Sequence, residues 1–126
     1  ARLPQEMLHL KQRLAHYHVP ASSPVADKAR RMGLGELAVA RAQRLSDLRN
    51  LWGNSGDVGA VMELGNRWIL ARIQRPPVSP EALAACIPNP RFRRRHLDEL
   101  WAVFVENYLP GRAVDESMNP HNFREA

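Results

Sequence analysis

Start signals for helices recur along this chain and divide it into short segments. Each signal is a Ser or Asn that can cap a helix, followed directly by a proline at the first helical position. The signals stand at Ser23-Pro24, Ser79-Pro80 and Asn89-Pro90, and Asp57 offers a further cap. Ten prolines and seven glycines separate the apolar stretches, so the chain is expected to fold as several short helices joined by tight turns.

Between these signals, apolar residues recur at helical spacing, and strand signals are almost absent. The pattern predicts helices over residues 4–17, 24–32, 36–52, 58–73, 80–86 and 90–108. Because each amphipathic face must be buried and the connections are short, we expect an all-α fold, a compact bundle of five to six helices over residues 1–112. Residues 113–126 have little periodicity and are expected to form a loosely ordered tail. The predicted core contains Leu14, Leu48, Trp68, Ile69, Leu100, Trp101 and Phe104.

The size and composition of the chain indicate one soluble globular domain. It has 126 residues, of which 44% are hydrophobic and 25% charged, and no apolar run approaches the roughly 20 residues of a membrane-spanning helix. Cys86 is the only cysteine, which excludes a disulfide within the chain and favours a reducing compartment. We therefore expect a cytoplasmic protein that does not bind a membrane.

No arrangement of side chains typical of an enzyme or a metal site emerges from the sequence. Cys86 and His96 are a nucleophile and a base by type, but Cys86 ends the apolar stretch Glu81–Cys86 and is typical of a buried, inert thiol. His9 and His16 are seven residues apart, which is about 10 Å along a helix and too far for both to bind one metal ion. We expect neither catalysis nor a cofactor or metal.

The distribution of charge carries the most information about function. The net charge is +5, and all of it arises in residues 1–53, because residues 54–126 hold nine basic and nine acidic side chains. Within this neutral part, four arginines fall in the five positions 91–95, whereas residues 96–126 hold two basic against six acidic side chains. Only two of the 18 basic residues are lysines, and arginine suits bidentate contacts with phosphate or carboxylate.

These arginines lie where the start of a helix normally carries acidic residues. Positive charge there opposes the helix dipole by roughly 0.3–1 kcal/mol per residue, and Arg91 and Arg95 repel each other one turn apart. Residues that oppose the preferences of a helix without a stabilising return tend to indicate function. Either the arginines bind an external anion or acidic surface, or they are simply solvated, or the acidic residues after Arg112 fold back on them.

A second stretch, Ala26–Leu45, shares the spacing of helix-turn-helix motifs that bind DNA. Ala29, Gly33 and Val39 are four and six residues apart, like the small, turn and apolar positions of such motifs. Charged residues at two positions that such motifs usually bury favour instead two core helices joined by a glycine turn. In the DNA-binding interpretation, the second helix would offer Arg41, Gln43 and Arg44.

Two functions follow from the charge pattern. The first is a nucleic-acid-associated accessory protein whose arginine-rich surface binds the phosphates of DNA or RNA. The alternative is a helical protein–protein interaction module, an adaptor or a domain of a larger assembly, whose arginines meet an acidic partner protein. The predicted contact residues are Arg91, Arg93, Arg94 and Arg95, with Arg30, Arg31, Arg41 and Arg44 extending the surface and Phe92 stacking on a base.

Overall fold

The computed structural model describes residues 16–111, which form six helices and two strands of three residues each. The all-α bundle expected from the sequence is confirmed for this part of the chain. The predicted helical segment 4–15, the domain boundary at residue 112 and the tail at 113–126 lie outside the described residues. In chain order the elements are β1 (His16–His18), α1 (Pro24–Arg31), α2 (Glu36–Asn54), α3 (Val58–Glu63), α4 (Asn66–Gln74), α5 (Pro80–Ala84), α6 (Pro90–Val105) and β2 (Leu109–Gly111).

The predicted start signals all cap helices. In each, a side-chain oxygen accepts a hydrogen bond from a backbone N–H in the first turn of the following helix, at 3.0 to 3.3 Å. These bonds satisfy N–H groups that have no partner within the helix itself. The capping residues are Ser23, Asp57, Ser79 and Asn89.

Helix α2 lies at the centre of the bundle, where it contacts α1, α3, α4, α6 and both strands. Trp68 and Trp101 of the predicted core are partly buried and pack against the buried core residues, and Leu14 lies outside the described residues. None of the helices between residues 16 and 111 has the length and apolar character needed to cross a membrane. The predicted core residues that are buried are Leu48, Ile69, Leu100 and Phe104.

The single helix predicted over residues 58–73 is wrong, because two helices, α3 and α4, occupy this stretch. Gly65 separates them in an extended conformation, with ψ of 161°, directly before α4. Glycine is a poor helix former, and the break allows Leu64 and Ile69 both to be fully buried. The remaining helix boundaries within residues 20–90 agree closely with the predicted ones.

The two ends of the described chain also depart from the predicted helices. His16–His18, expected at the end of a helix, forms β1, and the last helix ends at Val105 rather than at Tyr108. The chain then turns, and Leu109–Gly111 pairs with β1 as a parallel strand. The extended backbone brings the rings of Tyr17 and Tyr108 into edge-on contact, with 5.5 Å between their centroids. This contact between distant aromatic residues stabilises the strands in place of helical turns.

Candidate functional site

The arginine cluster, defined as Arg91, Arg93, Arg94 and Arg95, lies on the first two turns of α6. Arg91 and Arg94 are exposed, and within residues 16–111 neither side chain forms an ion pair or a hydrogen bond. The first turn of α6 carries no acidic residue. Two guanidinium groups are therefore presented to solvent beside the positive end of the helix dipole.

The other two arginines of the cluster are tied to the protein. Arg93 Nη1 donates a hydrogen bond to the backbone carbonyl of Ile87 at 2.6 Å, which anchors the loop that precedes α6. Arg95 Nη1 lies 3.4 Å from Asp57 Oδ2, and its side chain is 56% exposed. The Asp57 side chain is 16% exposed, but the long distance and the solvated guanidinium keep the contribution of this pair at about 0–1 kcal/mol, as in surface ion pairs. Arg95 can therefore exchange Asp57 for another anion at little cost.

Phe92 does not lie on the surface of the cluster. Its side chain is 2% exposed, and its ring centroid lies 6.0 Å from that of Trp52 and 4.8 Å from that of His96. The structure places the ring in the core, where it cannot stack on a base as its position among the arginines suggested. The helical period explains this, because Phe92 and His96 are four residues apart and share the inner face of α6.

Beneath the arginines, Asp57 joins three parts of the fold that the sequence alone did not connect. Oδ1 accepts from the backbone N–H of Gly59 at 3.1 Å and so caps α3. Oδ2 lies 2.7 Å from His96 Nε2 and within reach of Arg95. The imidazole ring stacks on Trp52, with 3.8 Å between the centroids. No local signal could reveal this cluster, because Asp57 and His96 come from distant parts of the chain.

The electrostatics of this cluster keep Asp57 ionised. The hydrogen bond to His96, together with the nearby charges of His96 and Arg95, lowers the pKa of the Asp57 carboxyl against the opposing effect of burial. A shallow depression of about 260 Å³ opens over Trp52 and His96, and a second of about 290 Å³ runs along Arg91. Asp57 and Arg95 line both depressions. An anion can bind between the guanidinium groups, because the acidic residue at this surface, Asp57, is already paired with His96 and Arg95.

The lowered pKa of Asp57 predicts a pH-dependent stability. Aspartate titrates near pH 3.9 in an unfolded chain, so the carboxylate contributes stability above about pH 4 that is lost as the pH falls through its lower folded value. Asp57→Asn retains a residue that caps helices well but removes the charge. We expect the variant to lose about 1–3 kcal/mol of unfolding free energy at neutral pH and to show a shallower decline on acidification than the wild type.

Urea unfolding between neutral pH and about pH 3, followed by circular dichroism, measures this difference. Asp27→Asn is the matched control, because Asp27 forms an exposed pair with Arg30 on α1. This control should change the unfolding free energy by less than about 1 kcal/mol. Parallel pH profiles for the wild type and Asp57→Asn would show that the carboxylate does not stabilise the fold.

The remaining arginines predicted to extend the surface do not join the cluster. Arg41 donates to the backbone carbonyls of Val103, Phe104 and Glu106 at 3.0, 2.8 and 3.3 Å, at the far end of α6. The Arg44 guanidinium lies 5.8 Å from the centroid of the Tyr17 ring, and its Nη2 is 4.0 Å from Glu99.

Arg30 and Arg31 are exposed on α1. Arg30 forms an ion pair with Asp27 at 3.1 Å. Within the described chain, α1 contacts α2 and α4 and has no extensive contact with α6. These two arginines therefore lie on a helix that has no extensive contact with α6, the helix of the arginine cluster.

The stretch with helix-turn-helix spacing forms two packed core helices, α1 and α2. Gly33 provides the turn between them with φ of +80°, a conformation that favours glycine. Gln43, which the DNA-binding interpretation would present to DNA, is buried and hydrogen-bonds with Ser23 and with Asp47. The second helix is the centre of the bundle rather than an exposed recognition helix.

Cys86 and His96 each have other partners. The Cys86 thiol lies 3.5 Å from the backbone carbonyl of Ala82, whereas His96 Nε2 is directed to Asp57. His16 lies in a strand, and His9 lies outside the described residues. In the part of the chain that the structure describes, no group of three or more His, Cys, Asp or Glu side chains is placed to hold a metal ion.

Comparisons of the chain with protein families, with curated proteins and with solved structures find no match. Function must therefore be argued from the side chains themselves, and the arginine cluster is the surface that offers the clearest chemistry.

Proposed function

We propose that this protein binds nucleic acids and grips the phosphates of DNA or RNA with the arginine cluster. The observation that carries the proposal is the state of Arg91 and Arg94. Both side chains are exposed at the start of α6, and neither has an acidic partner among residues 16–111. Arg95 adds a third guanidinium whose contact with Asp57 is weak enough to exchange.

An anion at this surface relieves an unfavourable arrangement of charge. Each positive charge at the start of a helix costs roughly 0.3–1 kcal/mol, and Arg91 and Arg95 stand one turn apart on α6. A phosphate placed between guanidinium groups accepts charge-assisted hydrogen bonds, often two from one arginine. Nucleic acid presents such phosphates in a row, which suits a surface with three arginines available.

The triple variant Arg91→Ala, Arg94→Ala and Arg95→Ala tests the proposal. We expect weaker binding to DNA and RNA whatever the base sequence, and a salt dependence flattened by about 0.9 log unit for each phosphate of duplex DNA that is no longer neutralised. Fluorescence anisotropy titrations at two salt concentrations measure both quantities. Thermal unfolding of the variant should be close to that of the wild type, because Arg91 and Arg94 have no partner among residues 16–111 and the pair of Arg95 with Asp57 is weak.

The corresponding triple lysine variant is the matched control, because it keeps the three charges and removes only the planar donor groups. It should retain the salt dependence of the wild type. If the wild-type protein binds neither DNA nor RNA at low salt, where electrostatic attraction is least screened, the nucleic-acid proposal is wrong.

A second function, a protein–protein interaction module, is favoured by an apolar surface beside the arginines. Val58, Val61 and Met62 of α3 are all more than half exposed, and Val58 lines the same depression as Arg91 and Arg95. Contiguous exposed apolar groups often mark protein interfaces. In this alternative, an acidic partner protein would pair with the arginine cluster and cover α3.

Deletion of residues 113–126 tests whether the chain covers its own arginines. If the acidic residues after Arg112 lie on the cluster, the deletion should raise non-specific DNA affinity, and the triple alanine variant should lose stability. If the deletion leaves DNA affinity unchanged and the triple alanine variant keeps its stability, the cluster is open to an external ligand.

A further inference from the structure

We propose that a groove between α1 and α4 is a second phosphate-binding surface, and that the ligand spanning it and the arginine cluster is a single strand of nucleic acid. This inference rests on the proposed function and narrows its substrate. The groove has a volume of about 660 Å³, and we refer to it as the basic groove.

The lining of the basic groove is cationic and lacks acidic residues. Lys28 comes from α1, and Arg67, Arg72 and Arg75 lie on α4 or directly after it. Among residues 16–111, none of these four side chains forms an ion pair. Four uncompensated charges around one concave surface raise the local concentration of anions.

The apolar part of the groove favours a nucleotide over a simple ion. Met32 and Leu70 lie among the cationic residues, and Met32 is 39% exposed. Gln74 Nε2 lies 3.9 Å from Met32 Sδ, a weak acceptor, so its amide remains able to hydrogen-bond with a base edge. An apolar surface with flanking cations suits an unpaired base together with its phosphates.

A duplex cannot use the groove in this way. Its bases are stacked and paired inside the helix, so it can offer only phosphates to a protein surface without being opened. An unpaired strand can turn a base towards Met32 while its phosphates meet Arg67 and Arg75. The chemistry of the groove therefore favours single-stranded DNA or RNA.

A series of interactions links one lining residue of the basic groove to the loop that precedes the arginine cluster. The Arg72 guanidinium lies 5.7 Å from the centroid of the Trp68 ring, and Trp68 Nε1 donates to the carbonyl of Cys86 at 2.8 Å. Arg93 of the cluster donates to the carbonyl of the next residue, Ile87. Trp68, which contacts Arg72, and Arg93 thus bind neighbouring residues of one loop. In the proposed complex, a single strand runs along this loop from one basic surface to the other.

The test uses the whole chain with Lys28→Gln, Arg67→Gln and Arg75→Gln combined. All three side chains are exposed, so the fold should be retained. We expect affinity for a single strand of about 16 nucleotides to fall roughly tenfold, and its salt dependence to flatten by about 0.7 log unit for each phosphate no longer neutralised. Affinity for a blunt duplex should change much less. The control variant with Arg67→Lys and Arg75→Lys combined should bind the strand like the wild type.

Two results would overturn the inference and leave the proposed function standing. One is an unchanged affinity for the long single strand in the glutamine variant while the triple alanine variant of the arginine cluster binds weakly. The other is an equal loss for strand and duplex, which would show a general phosphate surface without a preference for unpaired bases. Absence of any binding by the wild type would instead remove the proposed function itself.

Discussion

Replacing Phe92 with alanine is expected to lower the free energy of unfolding by about 3–5 kcal/mol, the usual range for truncating a buried aromatic ring. The ring is 2% exposed and lies between Trp52 and His96. Its removal would open a cavity where α2, α3 and α6 meet, and it would withdraw one wall from the imidazole that binds Asp57. The position amid four arginines conceals this role in the sequence.

Urea unfolding of the variant measures the loss, and Val105→Ala on the same helix is its control. Val105 is 46% exposed, so its truncation should change stability by no more than about 0.5 kcal/mol. Nucleic-acid affinity of the folded Phe92→Ala protein should match that of the wild type. A variant that keeps its stability but binds weakly would show that Phe92 contacts bases after all.

Helix starts were predictable from the sequence because their physical cause is local. Ser23, Ser79 and Asn89 each satisfy N–H groups within three residues along the chain, and a proline follows each of them. The turn at Gly33 has the same local character, because a positive φ suits glycine wherever the residue lies. Features of this kind need no knowledge of the surrounding fold.

The features that sequence reasoning missed depend on contacts between distant residues. Asp57 and His96 meet only because α2 and α6 pack together. Tyr17 and Tyr108 leave helical geometry to pack against each other. Gly65 falls within the apolar periodicity of residues 58–73, which gave no sign of a helix end. The break between α3 and α4 depends instead on the burial of Leu64 and Ile69 on its two sides.

The arginine cluster and the basic groove also differ in how far the sequence alone could predict them. The arginine cluster is contiguous in the chain and was evident from the sequence, although the burial of Phe92 within it was not. The basic groove combines Lys28 of α1 with arginines of α4, which alternate along that helix with buried Ile69 and Ile73. Each helix separately has the pattern of an ordinary solvated face. Only their packing turns the two faces into one concave surface.

Replacing Arg41 with alanine is expected to destabilise the protein by about 2–4 kcal/mol without weakening nucleic-acid binding, because hydrogen bonds to charged groups contribute about 1.5–3 kcal/mol net each and bonds made by one side chain do not add in full. Its guanidinium donates to the carbonyls of Val103, Phe104 and Glu106. These are groups at the C-terminal end of α6, where a positive charge also favours the helix dipole. The side chain thus holds the end of α6 against α2.

Chemical unfolding of Arg41→Ala and Arg41→Lys, with anisotropy titrations on the same samples, separates the two roles. Lysine keeps the charge but cannot reproduce the fixed fork that reaches several carbonyls, so it should recover only part of the stability. Arg31→Ala is the control, since Arg31 is exposed on α1, and truncation of such a surface side chain changes stability by no more than about 0.5 kcal/mol. If Arg41→Ala instead keeps its stability and loses affinity for nucleic acid, Arg41 is a contact residue and the binding surface extends to the far end of α6.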